Sequence, residues 1–132
     1  MINLVVVSHG NLALELIKSA EMIAGEIENI YAVTLQPGET PEQFEGKVNQ
    51  VMDEIGENEV LILIDIFSGT PYNITARQVL KKQVECVTGA NLPMLIEAAL
   101  SREDANVSEL AETISQAGID SVKNLKPMLT RK

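Results

Sequence analysis

Val60-Leu61-Ile62-Leu63-Ile64-Asp65 is apolar at five successive positions and then stops on a carboxylate. A strand with one wet face alternates polar and apolar residues; an unbroken aliphatic run of this length fits a central parallel strand covered by helices on both sides. A second such run, Ile2-Asn3-Leu4-Val5-Val6-Val7, begins the chain and stops at Ser8-His9-Gly10. Two buried strands, each ending on a reactive side chain, set the frame for the rest.

Helical patterns fill the spaces between strands. Ala13, Leu16, Ile17, Ala20, Ile23 and Ala24 recur every three or four residues, and Gly25 can end that helix. Ile30 to Leu35 reads as the next strand. Thr40-Pro41-Glu42-Gln43 carries an N-cap, a proline at the first helical position and a capping-box partner, ahead of the stripe Phe44, Val48, Val51 and Ile55 that ends at Gly56. After Asp65-Ile66-Phe67-Ser68-Gly69, Thr70 can cap and Pro71 can open a third helix running to about Lys82. Val84 to Thr88 reads as the fourth strand, followed by Gly89-Ala90-Asn91 and a helix over Pro93 to Leu100. A fifth helix spans Val107 to Ala117, capped by Asn106 with Glu109 three residues on and closed by Gly118. Ile119 to Leu125 is short and polar enough for a fifth strand at a sheet edge, pairing within the chain or with another subunit. The expected fold is a single α/β domain over residues 1–132, a doubly wound, mostly parallel sheet with helices on both faces and a C-terminal edge strand.

Composition removes several function classes. With 132 residues, 45% hydrophobic and 22% charged, the chain can bury a core and is not compositionally disordered. Nineteen acidic and ten basic residues give a formal charge of -9, which repels nucleic acid and anionic membranes and favours a basic protein partner. The aliphatic runs are too short to span a bilayer and the start lacks a basic signal-peptide region, so direct membrane insertion is not expected and the cytoplasm is. One cysteine, Cys86 in an apolar run, reads as a small buried side chain without a disulfide partner. One His and one Cys do not make a zinc site, and neither a metal nor a cofactor is expected.

The chemistry gathers at strand ends. In a doubly wound sheet, loops at the carboxyl ends of the strands meet in a crevice where the strand order reverses. If the first and third strands are neighbours there, Asp65 reaches His9, the sole histidine. A carboxylate holding one ring nitrogen fixes the tautomer and leaves the other with a lone pair, which makes a nucleophile. Taken alone, either residue can also be idle, His9 as a surface side chain and Asp65 as a turn cap. Gly10 and Gly69 permit close backbone approach, and the helices starting after His9 and at Thr70 aim their unpaired N–H groups at the same space, which suits an anion such as a phosphoryl group; Gly10, Ser68, Gly69 and Thr70 are the candidate phosphoryl contacts. Thr70 can serve as N-cap or as anion contact. Lysine and arginine are absent from these loops, which leaves basic surface to the partner.

These motifs, in this order, resemble the IIA component of the mannose-type branch of the bacterial sugar phosphotransferase system: the amino-terminal strand with Ser8-His9-Gly10, the segment Asp65 to Asn73, and Gly89-Ala90-Asn91-Leu92-Pro93-Met94-Leu95. The resemblance covers essentially the whole chain. It implies that His9 accepts a phosphoryl group from the histidine-containing phosphocarrier protein and passes it to a IIB component, with Asp65 orienting the ring. It also implies a homodimer that exchanges its last strand, here Ile119 to Leu125. Where the family commonly has two glycines before a serine, this chain has Ser68-Gly69-Thr70, which keeps the hydroxyl and stiffens the loop. The transported sugar never has to meet this component, so the resemblance leaves it open. The end at Lys132 without a Pro- or Ala-rich linker points to a IIB component made as a separate chain.

Three other readings compete. A receiver domain phosphorylated on Asp65 shares the α/β pattern but needs an acidic cluster after the first strand, where this chain has Ser8-His9-Gly10. The phosphotransfer subunit of dihydroxyacetone kinases shares the early strand and histidine but not the Gly-Thr-Pro-Tyr-Asn run. A serine hydrolase built from Ser8, His9 and Asp65 requires two adjacent strand residues to face each other, whereas they point to opposite sides.

Overall fold

The computed structural model describes residues 1–131; Lys132 lies outside them. Four strands, β1 (Asn3–His9), β2 (Ile30–Leu35), β3 (Val60–Ile64) and β4 (Val84–Thr88), form one sheet in the order β2-β1-β3-β4, every pair parallel. The chain builds outward from β1 to β2 and then crosses back to β3, so the order reverses between β1 and β3. Both of these central strands are buried along almost their whole length.

Among the described residues six α-helices accompany the sheet: α1 (Leu12–Ala24), α2 (Pro41–Ile55), α3 (Gly69–Thr75), α4 (Leu92–Ser101), α5 (Val107–Asp120) and α6 (Leu125–Thr130). Strand parity divides the core. Leu4, Val6, Leu61 and Leu63 pack against α1, α4 and α5, while Val5, Val7, Ile62 and Ile64 pack against α2 and α3. Phe44, fully enclosed in the second layer, contributes about 2–3 kcal/mol by leaving water. Both expected capping boxes form, Thr40 with Gln43 on α2 and Asn106 with Glu109 on α5. None of the helices among the described residues is long and apolar enough to cross a membrane.

The structure departs from the sequence reading in its second half. The helix expected to reach Lys82 is α3 followed by a 3₁₀ turn over Ala76–Leu80. Ser68, not Thr70, is its N-cap residue, and no side-chain hydrogen bond caps it. Gly118 does not close α5; it lies buried inside the helix, where the side chain of Met94 fills the space a Cβ would need. Cys86 is half-buried rather than enclosed.

Among the described residues the expected fifth strand does not form. Ile119 and Asp120 finish α5, and the chain keeps turning because Ser121 donates its N–H to the carbonyls of Ala117 and Gly118 and its hydroxyl to Gly118. A strand exists only with a neighbour to bond, and these local bonds turn the segment before it can lie along β4. Leu125 then opens α6.

One anchor left no sequence signature. Arg102, 5% exposed, donates from its guanidinium to the carbonyls of Ile2, Glu28 and Asn29, tying the end of α4 to the starts of β1 and β2. Burial lowers its pKa below the ordinary arginine value.

Candidate functional site

His9 is the last residue of β1 and Asp65 the first beyond β3, and the pairing of Val7 with Ile64 brings the two strand ends together. Asp65 extends the ladder by donating its N–H to the Val7 carbonyl at 3.0 Å. Its carboxylate then turns to the histidine. Oδ2 accepts the backbone N–H of His9 at 2.8 Å and lies 2.9 Å from His9 Nδ1, while Oδ1 accepts the N–H of Ile66 at 2.9 Å.

An ionised carboxylate can only accept, so Nδ1 carries the ring proton and Nε2 of the neutral imidazole carries the lone pair. The His9 side chain is 46% exposed and that of Asp65 9%. The orienting group is thus sheltered and the ring is accessible. This arrangement argues against Asp65 as the phosphorylated residue, because both of its oxygens are engaged and little of it meets solvent.

Parity places Ser8 and His9 on opposite sides of β1, as the sequence reading required. Ser8 is buried toward α1, where its hydroxyl accepts the N–H of Ala13 at 2.8 Å and donates to the Gly10 carbonyl at 3.0 Å. It cannot face His9 as a hydrolase serine would. It stands in for the missing side-chain cap of α1, since Asn11 makes none. Ser8 thus takes up one of the free N–H groups at the start of α1, that of Ala13. Gly10 joins β1 to α1. Its N–H donates to the Leu35 carbonyl at 2.8 Å, and its φ of 56° supplies the turn between β1 and α1.

The loop after β3 keeps its donors free. Among the described residues, the N–H groups of Ser68, Gly69 and Thr70 donate to no backbone or side-chain acceptor. Gly69 comes so close to the ring that a Cβ built on it would stand 3.0 Å from His9 Nε2. Ser68 is exposed and Thr70 half-buried. Ile66 and Phe67 are exposed beside them, Phe67 meeting the ring of Tyr72 edge-on at 4.8 Å. In the loop after β4, the Asn91 side chain caps α4 by accepting the Met94 N–H.

Sequence reasoning missed a polar brace beside the site. Gln36 Nε2 donates to Asn11 Oδ1 at 2.8 Å and to Thr34 Oγ1 at 3.0 Å, joining the loops that follow β1 and β2. Lys47 donates to the Thr34 carbonyl and to Glu39, and this hydrogen bond, with that from the Gln36 N–H, holds the Glu39 carboxyl below its usual range. A polar residue after each strand was the only available signal.

The family model described as PTS system fructose IIA component matches residues 3–115. Over 128 residues the chain is 36% identical to the PTS system mannose-specific EIIAB component of Escherichia coli (strain K12), which takes in 95% of this chain and 40% of that relative. It therefore spans less than half of that protein's length. The PTS system fructose-specific EIIA component of Bacillus subtilis (strain 168) is 36% identical over 116 residues, 86% of this chain and 80% of the relative. Among solved structures, the mannose/sorbose specific IIA subunit of phosphotransferase system from Enterococcus faecalis superposes with a TM-score of 0.86 at 33% identity, covering 93% of each chain. On family match, fold and similarity along its length, the chain belongs to the IIA components of the mannose-type sugar phosphotransferase system.

Proposed function

We propose that His9 is a phosphoryl carrier, accepting the group on Nε2 from a histidine-containing phosphocarrier protein and passing it to a IIB component. The observation that carries this reading is the pair formed by His9 Nδ1 and Asp65 Oδ2 at 2.9 Å, which leaves Nε2 unprotonated on an accessible ring. In the first transfer the Nε2 lone pair attacks phosphorus, and the P–N bond to the donor imidazole breaks with its electron pair returning to the donor. The His9 ring, still protonated on Nδ1, becomes cationic, and Asp65 offsets that charge. The second transfer reverses these events toward the IIB nucleophile.

The transition state is loose and in line, with charge on the equatorial oxygens, so fixed N–H donors can stabilise it without a metal. The free amides of Ser68, Gly69 and Thr70 and the Thr70 hydroxyl fill that role. Gly10 supplies shape only, because its N–H is engaged. Exposed Ile66 and Phe67 give a partner an apolar rim. Cytoplasmic action as one IIA unit goes with this reading.

We also infer a homodimer. Supporting it are the outer edge of β4, open in the described chain, and the exposed apolar residues Ile119, Val122 and Leu125, which a second copy can cover by strand pairing. Sedimentation at micromolar concentration is expected to give twice the chain mass; a monomer at all concentrations refutes it.

The carrier reading is tested by incubating the protein with phosphoenolpyruvate, enzyme I and the phosphocarrier. A stoichiometric, acid-labile, base-stable phosphate is expected, absent from His9→Ala. A base-labile phosphate retained in that variant would move the site to a carboxylate and refute it.

A further inference from the structure

We propose that Gly69 is the positioning residue for His9: its missing side chain seats the Nε2 edge of the ring and keeps clear the space a phosphoryl group enters. This rests on the carrier reading above. A Cβ at Gly69 would stand 3.0 Å from Nε2 and 3.1 Å from Cε1, whereas carbon makes its best non-bonded contacts at about 3.5–4.0 Å. The ring cannot retreat freely, because Nδ1 and the backbone N–H of His9 are both held by Asp65 Oδ2. The loop is constrained too, since Pro71, two residues on, is buried in α3. A methyl group at Gly69 therefore obliges the imidazole to shift by a few tenths of an ångström. Displacements of about 1 Å in group transfer cost about 10²-fold in rate.

Gly69 also has a φ of +85°, so any L-residue there is strained whatever it touches. Gly38 separates the two effects. Its φ is +83°, yet a Cβ there meets nothing within 4 Å. Gly69→Ala and Gly38→Ala thus both carry the strain of a positive φ, and only the first touches the ring.

Three measurements on wild type and both variants decide the matter: melting temperature, single-turnover phosphorylation by the phosphocarrier, and the state of the single imidazole by ¹⁵N NMR and by acylation with diethyl pyrocarbonate. Both variants are expected to melt a few degrees lower by similar amounts. Gly38→Ala is expected to keep the wild-type transfer rate and ring signals. Gly69→Ala is expected to lose about tenfold in transfer, to shift the ring signals and to acylate more slowly. Transfer within threefold of wild type in Gly69→Ala, or an equal loss in Gly38→Ala, would overturn the proposal. Unfolding of Gly69→Ala alone would assign the glycine to the fold and overturn it as well. If wild type itself takes no phosphoryl group, the carrier reading fails, while the NMR and acylation comparison still decides whether Gly69 seats the ring.

Discussion

Replacing Asp65 with asparagine changes one atom, yet the geometry predicts more damage than replacing it with alanine. The carboxylate accepts three hydrogens, two from His9 on Oδ2 and one from Ile66 on Oδ1. An amide offers one accepting oxygen. If that oxygen faces His9, the amide NH₂ confronts the Ile66 N–H. If the amide is turned, NH₂ confronts the His9 backbone N–H and forces Nδ1 to accept, which moves the ring proton to Nε2 and removes the attacking lone pair. A hydrogen bond to a charged group contributes about 1.5–3 kcal/mol, and the half-exposed ring puts this pair at the lower end, about tenfold in rate. A carboxylate-to-amide change that imposes the wrong tautomer elsewhere costs about 10⁴-fold. Asp65→Asn should therefore transfer about 10²- to 10³-fold more slowly, between those limits, and Asp65→Ala, which dictates no tautomer, should be slowed less. Rapid-quench transfer from the phosphocarrier measures the rates, and ¹⁵N shifts of the single imidazole report the protonated nitrogen. An asparagine variant as fast as the alanine variant, or a wild-type ring protonated mainly on Nε2, would refute the reasoning.

Ser8→Ala removes the acceptor of the Ala13 N–H and the donor to the Gly10 carbonyl; chemical denaturation should show a loss of about 1–3 kcal/mol, the cost of stranding a buried donor. Gly118→Ala and Gly46→Ala, both in helix interiors, should have opposite signs. At Gly118 a Cβ would stand 2.7 Å from the buried Met94 side chain and destabilise by about 1–3 kcal/mol, whereas exposed Gly46 has nothing within 4 Å and should gain about 0.5–1 kcal/mol in helix propensity. Burial, aided by the charge of Glu85, pushes the Cys86 thiol from 9.0 up to about 12. The folded protein holds that proton more tightly than the unfolded chain, so this contribution to stability is intact below pH 9.0 and is lost as pH rises to about 12. Thiol reagents at pH 8 should react far more slowly with native protein than with protein in denaturant; equal rates would contradict the burial.

What the residues determined by themselves was whatever depends on near neighbours or on one element's periodicity. Val60 to Ile64, apolar throughout, placed β3 inside the sheet; Thr40 with Gln43 and Asn106 with Glu109 capped their helices as read, because a capping box closes within four residues. Alternation along β1 put Ser8 and His9 on opposite faces. His9 and Asp65 were legible as strand-end groups, but their meeting depended on an assumed neighbour relation between β1 and β3. Only the tertiary structure decided the contacts between distant segments. It set the 56-residue span that brings Asp65 to His9, the approach of Gly69 to Nε2, the engagement of the Gly10 N–H by Leu35, and the packing of Met94 into the gap at Gly118. The same limit explains the misread C-terminal segment. Whether Ile119 to Leu125 is extended depends on having a sheet edge to bond, and within the single chain the local bonds of Ser121 win. A strand end announces a reactive group in sequence, but packing determines which backbone amides remain free to meet what that group carries.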